Sequence, residues 1–177
     1  MKLSKIYLDM DGVIADFTKR YKELFGAPPV QHDNKTKNFD KNFTGLIEEG
    51  HFATLDMMPD AQVLLNYLNT LSIPVEILSS TASEKRHDAI APQKLEWLKK
   101  HGIDYKANLV PGKKFKKDWA KPDTLIIDDT HSIIDDWRNA GGIAIWHKDA
   151  MSTTNQVDCI LRLDKYPYIM KAVDNPL

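Results

Sequence analysis

Asp9-Met10-Asp11-Gly12 follows directly on the apolar run Ile6-Tyr7-Leu8. In extended chain, residues two apart face the same way, so both carboxylates can project from the end of a strand into one small space. Two like charges held so close call for a cation, although the pair can also be read as loop-capping acids before a glycine turn. An EF-hand loop does not fit, because its Gly belongs five residues after the first Asp and Gly12 stands three after. A second acid pair closes the run Leu125-Ile126-Ile127-Asp128-Asp129, with helix capping by Asp129 as the bland alternative. In open parallel sheets this carboxyl edge is where ligands bind, and four carboxylates converging there are hard to explain as caps.

Two further strand ends carry complementary chemistry. Ile77-Leu78-Ser79-Ser80-Thr81 ends in three hydroxyls, suited either to phosphate oxygens or to capping the next helix. Gly112-Lys113-Lys114-Phe115-Lys116-Lys117 places four lysines within five residues, just before the Asp-Asp strand. A Walker A loop would need Gly at 107 and Ser or Thr at 114, where Ala107 and Lys114 stand, and no Gly-x-Ser-x-Gly elbow is present. A carboxylate attacking a phosphate dianion meets roughly 8 kcal/mol of repulsion at about 4 Å and an effective dielectric near 20. Oxygen ligands beside phosphate favour Mg2+, and a lysine adds a second cation. The histidines (His32, His51, His87, His101, His131, His147) show no metal-ligand spacing.

The elements that must position these groups follow from periodicity. Short apolar runs alternating with helical patterns predict βαβ units and a parallel sheet. Strands are expected at 4–9, 74–79, 107–110, 124–128, 142–146 and 159–163, and helices at 60–70, 88–101 and 131–140, the last ending at Gly141-Gly142. The fold class expected is α/β, a doubly wound parallel sheet. Some forty residues between Asp16 and Pro59, with Pro28-Pro29 and scattered aromatics, are too long for a βα connection. They read as a small, mostly helical cap over 17–59, inserted into a core of 1–16 and 60–177.

A chain of 177 residues has room for one domain with such an insertion, and its 42% hydrophobic and 28% charged residues are those of a globular protein. With 24 basic and 25 acidic residues there is no global basic field for nucleic acid or membrane. The single Cys159 excludes an internal disulfide and a Cys-rich zinc site, which makes a reducing cytoplasm the expected compartment. No run approaches the 18 apolar residues of a membrane span, and the N-terminus lacks a signal-peptide core.

The order Asp-x-Asp, Ser/Thr, Lys, Asp-Asp, each at a strand end, resembles the haloacid dehalogenase-like phosphatases with their Rossmann-like core. Asp9-Met10-Asp11-Gly12-Val13-Ile14-Ala15-Asp16-Phe17 and Leu125-Ile126-Ile127-Asp128-Asp129 resemble the signatures of the 5′(3′)-deoxyribonucleotidase branch. The resemblance implies a Mg2+-dependent 5′-nucleotidase working through an aspartyl-phosphate on Asp9, with Asp11 as general acid and base. It implies Mg2+ held by the Asp9 side chain, the Asp11 carbonyl and Asp129, with Asp128 behind them. Ser79 would contact the phosphoryl group with Ser80 beside it, and Lys116, or else Lys114, would be the motif lysine, since Lys-x-x-x-Ala precedes the closing strand. Lys94 is a further candidate phosphate contact, and a solvated helix face explains it equally. Phe17 lies where the branch places a base-stacking aromatic, with Phe43 or Phe52 for the other face. Thr130 departs from the Arg that often follows the branch's acid pair. Rival readings keep the chemistry on a polynucleotide end or a sugar phosphate, or make the chain a receiver-type phosphorylation switch. The switch would need its acceptor Asp on a middle strand, where Ser79 stands.

Overall fold

A computed structural model describes residues 2–29 and 37–165. His32 and most of the polar stretch from Gln31 to Asn38 lie outside them. Along the chain come β1 (Lys5–Leu8), α1 (Phe17–Phe25), α2 (Lys37–Glu48), a 3-10 turn at His51–Thr54, α3 (Ala61–Thr70), β2 (Val75–Ser80), α4 (Glu84–Lys100), β3 (Lys106–Val110), a 3-10 segment at Lys113–Trp119, β4 (Thr124–Asp128), α5 (His131–Asn139), β5 (Ile143–Trp146) and α6 (Ala150–Lys165). The strands form one parallel sheet in the order β3-β2-β1-β4-β5. β4 is buried along its whole length, as expected of a strand covered on both faces, and it reads as an unbroken apolar run for that reason. Successive connections leave β1 toward opposite edges, so the crevice beyond the carboxyl ends of β1 and β4 is the sheet's switch point.

The strand expected at 159–163 is instead part of α6. Cys159-Ile160-Leu161-Arg162-Leu163 is a short apolar run, but Val157, Ile160 and Leu161 fall at helical spacing and pack into the core. Tyr67 of α3 donates to Asp158 at 2.6 Å, which fastens that turn of the helix, while Leu163 stays exposed. α4 begins four residues earlier than periodicity suggests, at Glu84. α5 does end at the glycine pair. Gly142 N–H donates to the Trp137 carbonyl and Gly141 N–H to that of Arg138, with Gly141 at φ +91°.

The segment between Asp16 and Pro59 contributes α1, α2 and the first 3-10 turn. Its Tyr21, Phe43, Leu46, Ile47 and Phe52 share one buried cluster with Leu64, Trp97 and the sheet, so it has no core of its own. Side chains of α4 fasten it. Gln93 accepts from Phe52 N–H at 3.1 Å and donates to the Ile47 carbonyl at 2.9 Å, and Trp97 Nε1 donates to the Leu55 carbonyl at 2.7 Å.

Candidate active site

β1 and β4 run in register, Leu8 beside Ile127, and Asp9 N–H extends the ladder by donating to the Ile127 carbonyl at 3.0 Å. Asp9 and the Asp128-Asp129 pair therefore leave the sheet side by side. Carboxylate oxygens of Asp9, Asp128 and Asp129 all lie within 4.8 Å of one another. Lys116 reaches the group from the 3-10 segment, which is clamped by Phe115 and Trp119 packing into the cluster around Tyr7 and Trp137. Its ammonium is 1% exposed, 2.8 Å from Asp9 Oδ1 and 2.7 Å from Asp128 Oδ2. The other lysines of the run are exposed, and Lys114 lies over the Phe115 ring.

A second ion pair stands beside the first. Lys94 of α4 donates to Asp11 Oδ2 at 2.6 Å and to Ser79 Oγ at 2.8 Å. Asp11 Oδ1 has no hydrogen-bond partner among the described residues. Side-chain alternation along β2 separates the two serines expected at the phosphate. Ser79 is fully buried behind Lys94, whereas Ser80 faces the pocket, its hydroxyl accepting from Ala82 N–H at 3.1 Å. Of the two serines Ser80 lines the pocket, and Lys94, 1% exposed, is paired with Asp11.

The electrostatics follow from this wiring. Burial would raise the Asp9 pKa, but the ammonium groups of Lys116 and Lys94 hold it below the usual carboxylate value. Lys116 stays charged although burial opposes it, because Asp9 and Asp128 face it. Burial raises Asp128, whose other oxygen accepts from Thr130 N–H at 2.8 Å. The Asp129 residue opens onto the pocket, yet its carboxyl sits close among its neighbours. Burial and then the charges of Asp9 and Asp128 push it up to about 7.

These residues fit a divalent cation. Three carboxylates against one ammonium leave a surplus of two negative charges in an all-oxygen donor set, the chemistry Mg2+ prefers. Gly12, at φ +78°, leaves the space Asp129 occupies, since an added Cβ there would stand 2.1 Å from Asp129 Oδ2. Asp128 has both oxygens engaged, by Lys116 and by Thr130 N–H, and so stands behind the other two.

Above the carboxylates opens a cavity of about 380 Å3, a size suited to a small organic ligand. Phe17, Phe39, Phe43 and Phe52 line its upper wall, with Arg86 and Lys113 at its sides. Phe17 and Phe52 already stack on each other with centroids 5.7 Å apart, so no base enters between them. The pocket lining also includes Phe39, Arg86, Lys113 and Thr130, none of which is among the predicted site residues. Arg86 lies before the helix start at 88 that periodicity predicts, and Lys113 is one lysine of a run whose members look alike. Lys113 donates to Thr130 Oγ1 at 3.4 Å, which brings a cation to the position after the acid pair.

The model of the family described as "5' nucleotidase, deoxy (Pyrimidine), cytosolic type C protein" matches residues 3–164. Among solved structures the chain is similar to a hydrolase from Streptococcus pneumoniae TIGR4, at TM-score 0.52 and 14% identity, covering 89% of this chain and 100% of that one. It is also similar to a haloacid dehalogenase-like hydrolase from Bacteroides fragilis, at TM-score 0.50 and 15% identity, covering 81% and 86%. At these identities the likeness speaks for the fold alone. No curated protein matches.

Proposed function

This chain belongs to the deoxy-pyrimidine 5′-nucleotidase, cytosolic type C, family, and on that premise we propose that it is a Mg2+-dependent enzyme that removes the 5′-phosphate of a deoxyribonucleotide through an aspartyl-phosphate on Asp9. The family makes it a phosphoric monoester hydrolase. The observation that carries the finer reading is Asp9 itself, a buried carboxylate kept ionised by two lysines at the foot of an aromatic-walled pocket. An ionised, desolvated carboxylate is a competent nucleophile.

An Asp9 oxygen attacks phosphorus as the ester P–O bond breaks, and the leaving oxygen takes the proton that Asp11 carries on Oδ1 once the phosphate dianion lies beside it. Water then gives a proton back to Asp11 and attacks phosphorus, breaking the Asp9–phosphate bond and freeing inorganic phosphate. Asp11 Oδ1, lacking a partner, is the oxygen available for both transfers, while Lys94 fixes the other. Ser80 orients the phosphoryl oxygens, and Lys116 offsets the charge that gathers on Asp9. The Asp9 side chain, the Asp11 carbonyl and Asp129, with Asp128 behind them, would hold Mg2+, whose charge would let a phosphate dianion approach these acids. Phe17, Phe39 and Phe43 offer the base an apolar face. No helix of the described residues is long and apolar enough to cross a membrane, and the cytosolic family together with one unpaired Cys159 supports work in the cytoplasm.

The test is phosphate release from all 5′- and 3′-mononucleotides, a sugar phosphate and a 5′-phosphorylated oligonucleotide, with Mg2+, with EDTA and with Asp9→Asn. Release from 5′-deoxymononucleotides that needs both Mg2+ and Asp9 is expected. Release chiefly from the oligonucleotide would favour a polynucleotide end. That reading is supported by Lys113 at the pocket wall with exposed Lys114 and Lys117 close by. Undiminished release in EDTA would refute the role of the metal.

A further inference from the structure

Trp146 ends β5 in register with Asp128, and its indole Nε1–H donates to the main-chain carbonyl of Asp129 at 2.9 Å. That carbonyl lies just before Thr130, the N-cap of α5, whose own carbonyl is the first to accept from the helix. The helix therefore offers the Asp129 carbonyl no donor, and the indole supplies one. On the other side of the same peptide unit, Thr130 N–H donates to Asp128 Oδ1 at 2.8 Å. Both polar groups of the 129–130 peptide are thus gripped by side chains, one from β4 and one from β5. The indole is itself held in place, with the His131 ring centroid 3.9 Å from its own and the Lys148 ammonium 4.3 Å over its face.

We propose that Trp146 is a positioning residue for Asp129, fixing the backbone from which that carboxylate reaches a divalent cation. The proposal rests on the Mg2+ reading above. Asp129 has little room to be elsewhere: its Oδ2 occupies the gap that only a glycine at position 12 leaves. A peptide free to rotate about its neighbours would move the carboxylate out of that gap and away from Asp9. Partners behind a metal ligand are commonly worth 10–100-fold in metal affinity, and a partner that grips the main chain should fall near the lower figure.

The test is Trp146→Phe, which keeps a ring between His131 and Lys148 but removes the N–H. Mg2+ affinity is measured by calorimetry, kcat at saturating Mg2+, and melting in EDTA. Mg2+ binding weakened by about tenfold, with kcat at saturation within about threefold of wild type, is expected. Unchanged Mg2+ affinity overturns the proposal, and a lower melting temperature in EDTA with that affinity unchanged reduces Trp146 to packing. Wild type that binds no Mg2+ overturns both this proposal and the Mg2+ reading, whereas normal wild-type binding with an indifferent variant overturns this proposal alone. Should the variant fail to fold, the wild-type indole N–H resonance of Trp146, assigned through its contact with His131, carries the test. It shifts on addition of Mg2+ if the bond to Asp129 reports on the site, and an unmoved resonance refutes the coupling.

Discussion

Replacing Lys116 by Met removes the one cation lodged between Asp9 and Asp128. At 2.8 and 2.7 Å each contact is worth about 6 kcal/mol of gross attraction at an effective dielectric near 20. Most of that offsets the cost of burying the charges, so the net loss expected is the ~3–5 kcal/mol typical of breaking a buried pair from one side. The pH dependence distinguishes this account from simple loss of packing. Without Lys116 the two buried carboxylates cannot both stay ionised, so the folded variant holds about one proton that the unfolded chain releases above its ordinary carboxyl value of 3.8. Stability of the variant then falls by about 1.4 kcal/mol per pH unit as pH rises through this window. In wild type the Asp9 pKa is lowered, so Asp9 is ionised in both folded and unfolded chain throughout this window and adds no slope, and the gap between the two proteins widens with pH. Urea unfolding in EDTA at pH 5, 6, 7 and 8 measures it. A loss near 3–5 kcal/mol at pH 7 that shrinks toward pH 5 is expected, along with a fall in kcat of at least about 100-fold. A loss under about 1 kcal/mol that does not vary with pH would refute the wiring.

Three further outcomes are expected. Acid-quenched protein after brief exposure to 32P-labelled substrate should carry label in wild type and none in Asp9→Asn; label retained in the variant would move the nucleophile elsewhere. Gly12→Ala forces a Cβ to 2.1 Å from Asp129 Oδ2 at a φ of +78°, and should weaken Mg2+ binding at least about tenfold while costing about 1–3 kcal/mol in urea unfolding. Normal Mg2+ affinity in that variant would sink the role given to the Asp129 gap. His147, 4% exposed and hydrogen-bonded through Nδ1 to Thr153 at 2.8 Å, has its pKa lowered by burial from 6.5, with Asp60 and Asp149 opposing. The unfolded chain therefore binds the proton first, so wild type should lose stability as pH falls below about 6.5 toward the lowered folded value. His147→Gln should lack this component, and identical pH slopes for the two proteins in urea unfolding would exclude it.

Much of the architecture was legible in the chain. Ile6-Tyr7-Leu8 and Leu125-Ile126-Ile127 are apolar without interruption because both faces of the central strands are covered, so the strands and the acids at their ends could be read together. The glycine pair after α5 marked its end because a left-handed residue is needed there. The apolar run at 159–163 reads as a strand because five residues, with Ile160 and Leu161 adjacent, are too few to tell one period from the other. The choice is made by what Val157, Ile160 and Leu161 meet in the core, which no window of that length contains.

Residue types and their order along the chain determined that four acids, a pair of serines and a lysine run would gather at one sheet edge, since strand periodicity and parallel topology are local properties repeated along the chain. Which charge faces which was decided only by the tertiary structure. Lys116 rather than Lys114 enters the core because Phe115 and Trp119 clamp its turn. Lys94 is committed to Asp11 because α4 passes over β2 at that point, and Ser80 rather than Ser79 meets the pocket because β2 happens to present that face. Arg86 and Trp146 gained their places in the same way. Such pairings join residues tens of positions apart across elements, and their energies depend on a few ångströms of separation and on the water excluded between them, quantities that exist only once the chain has folded.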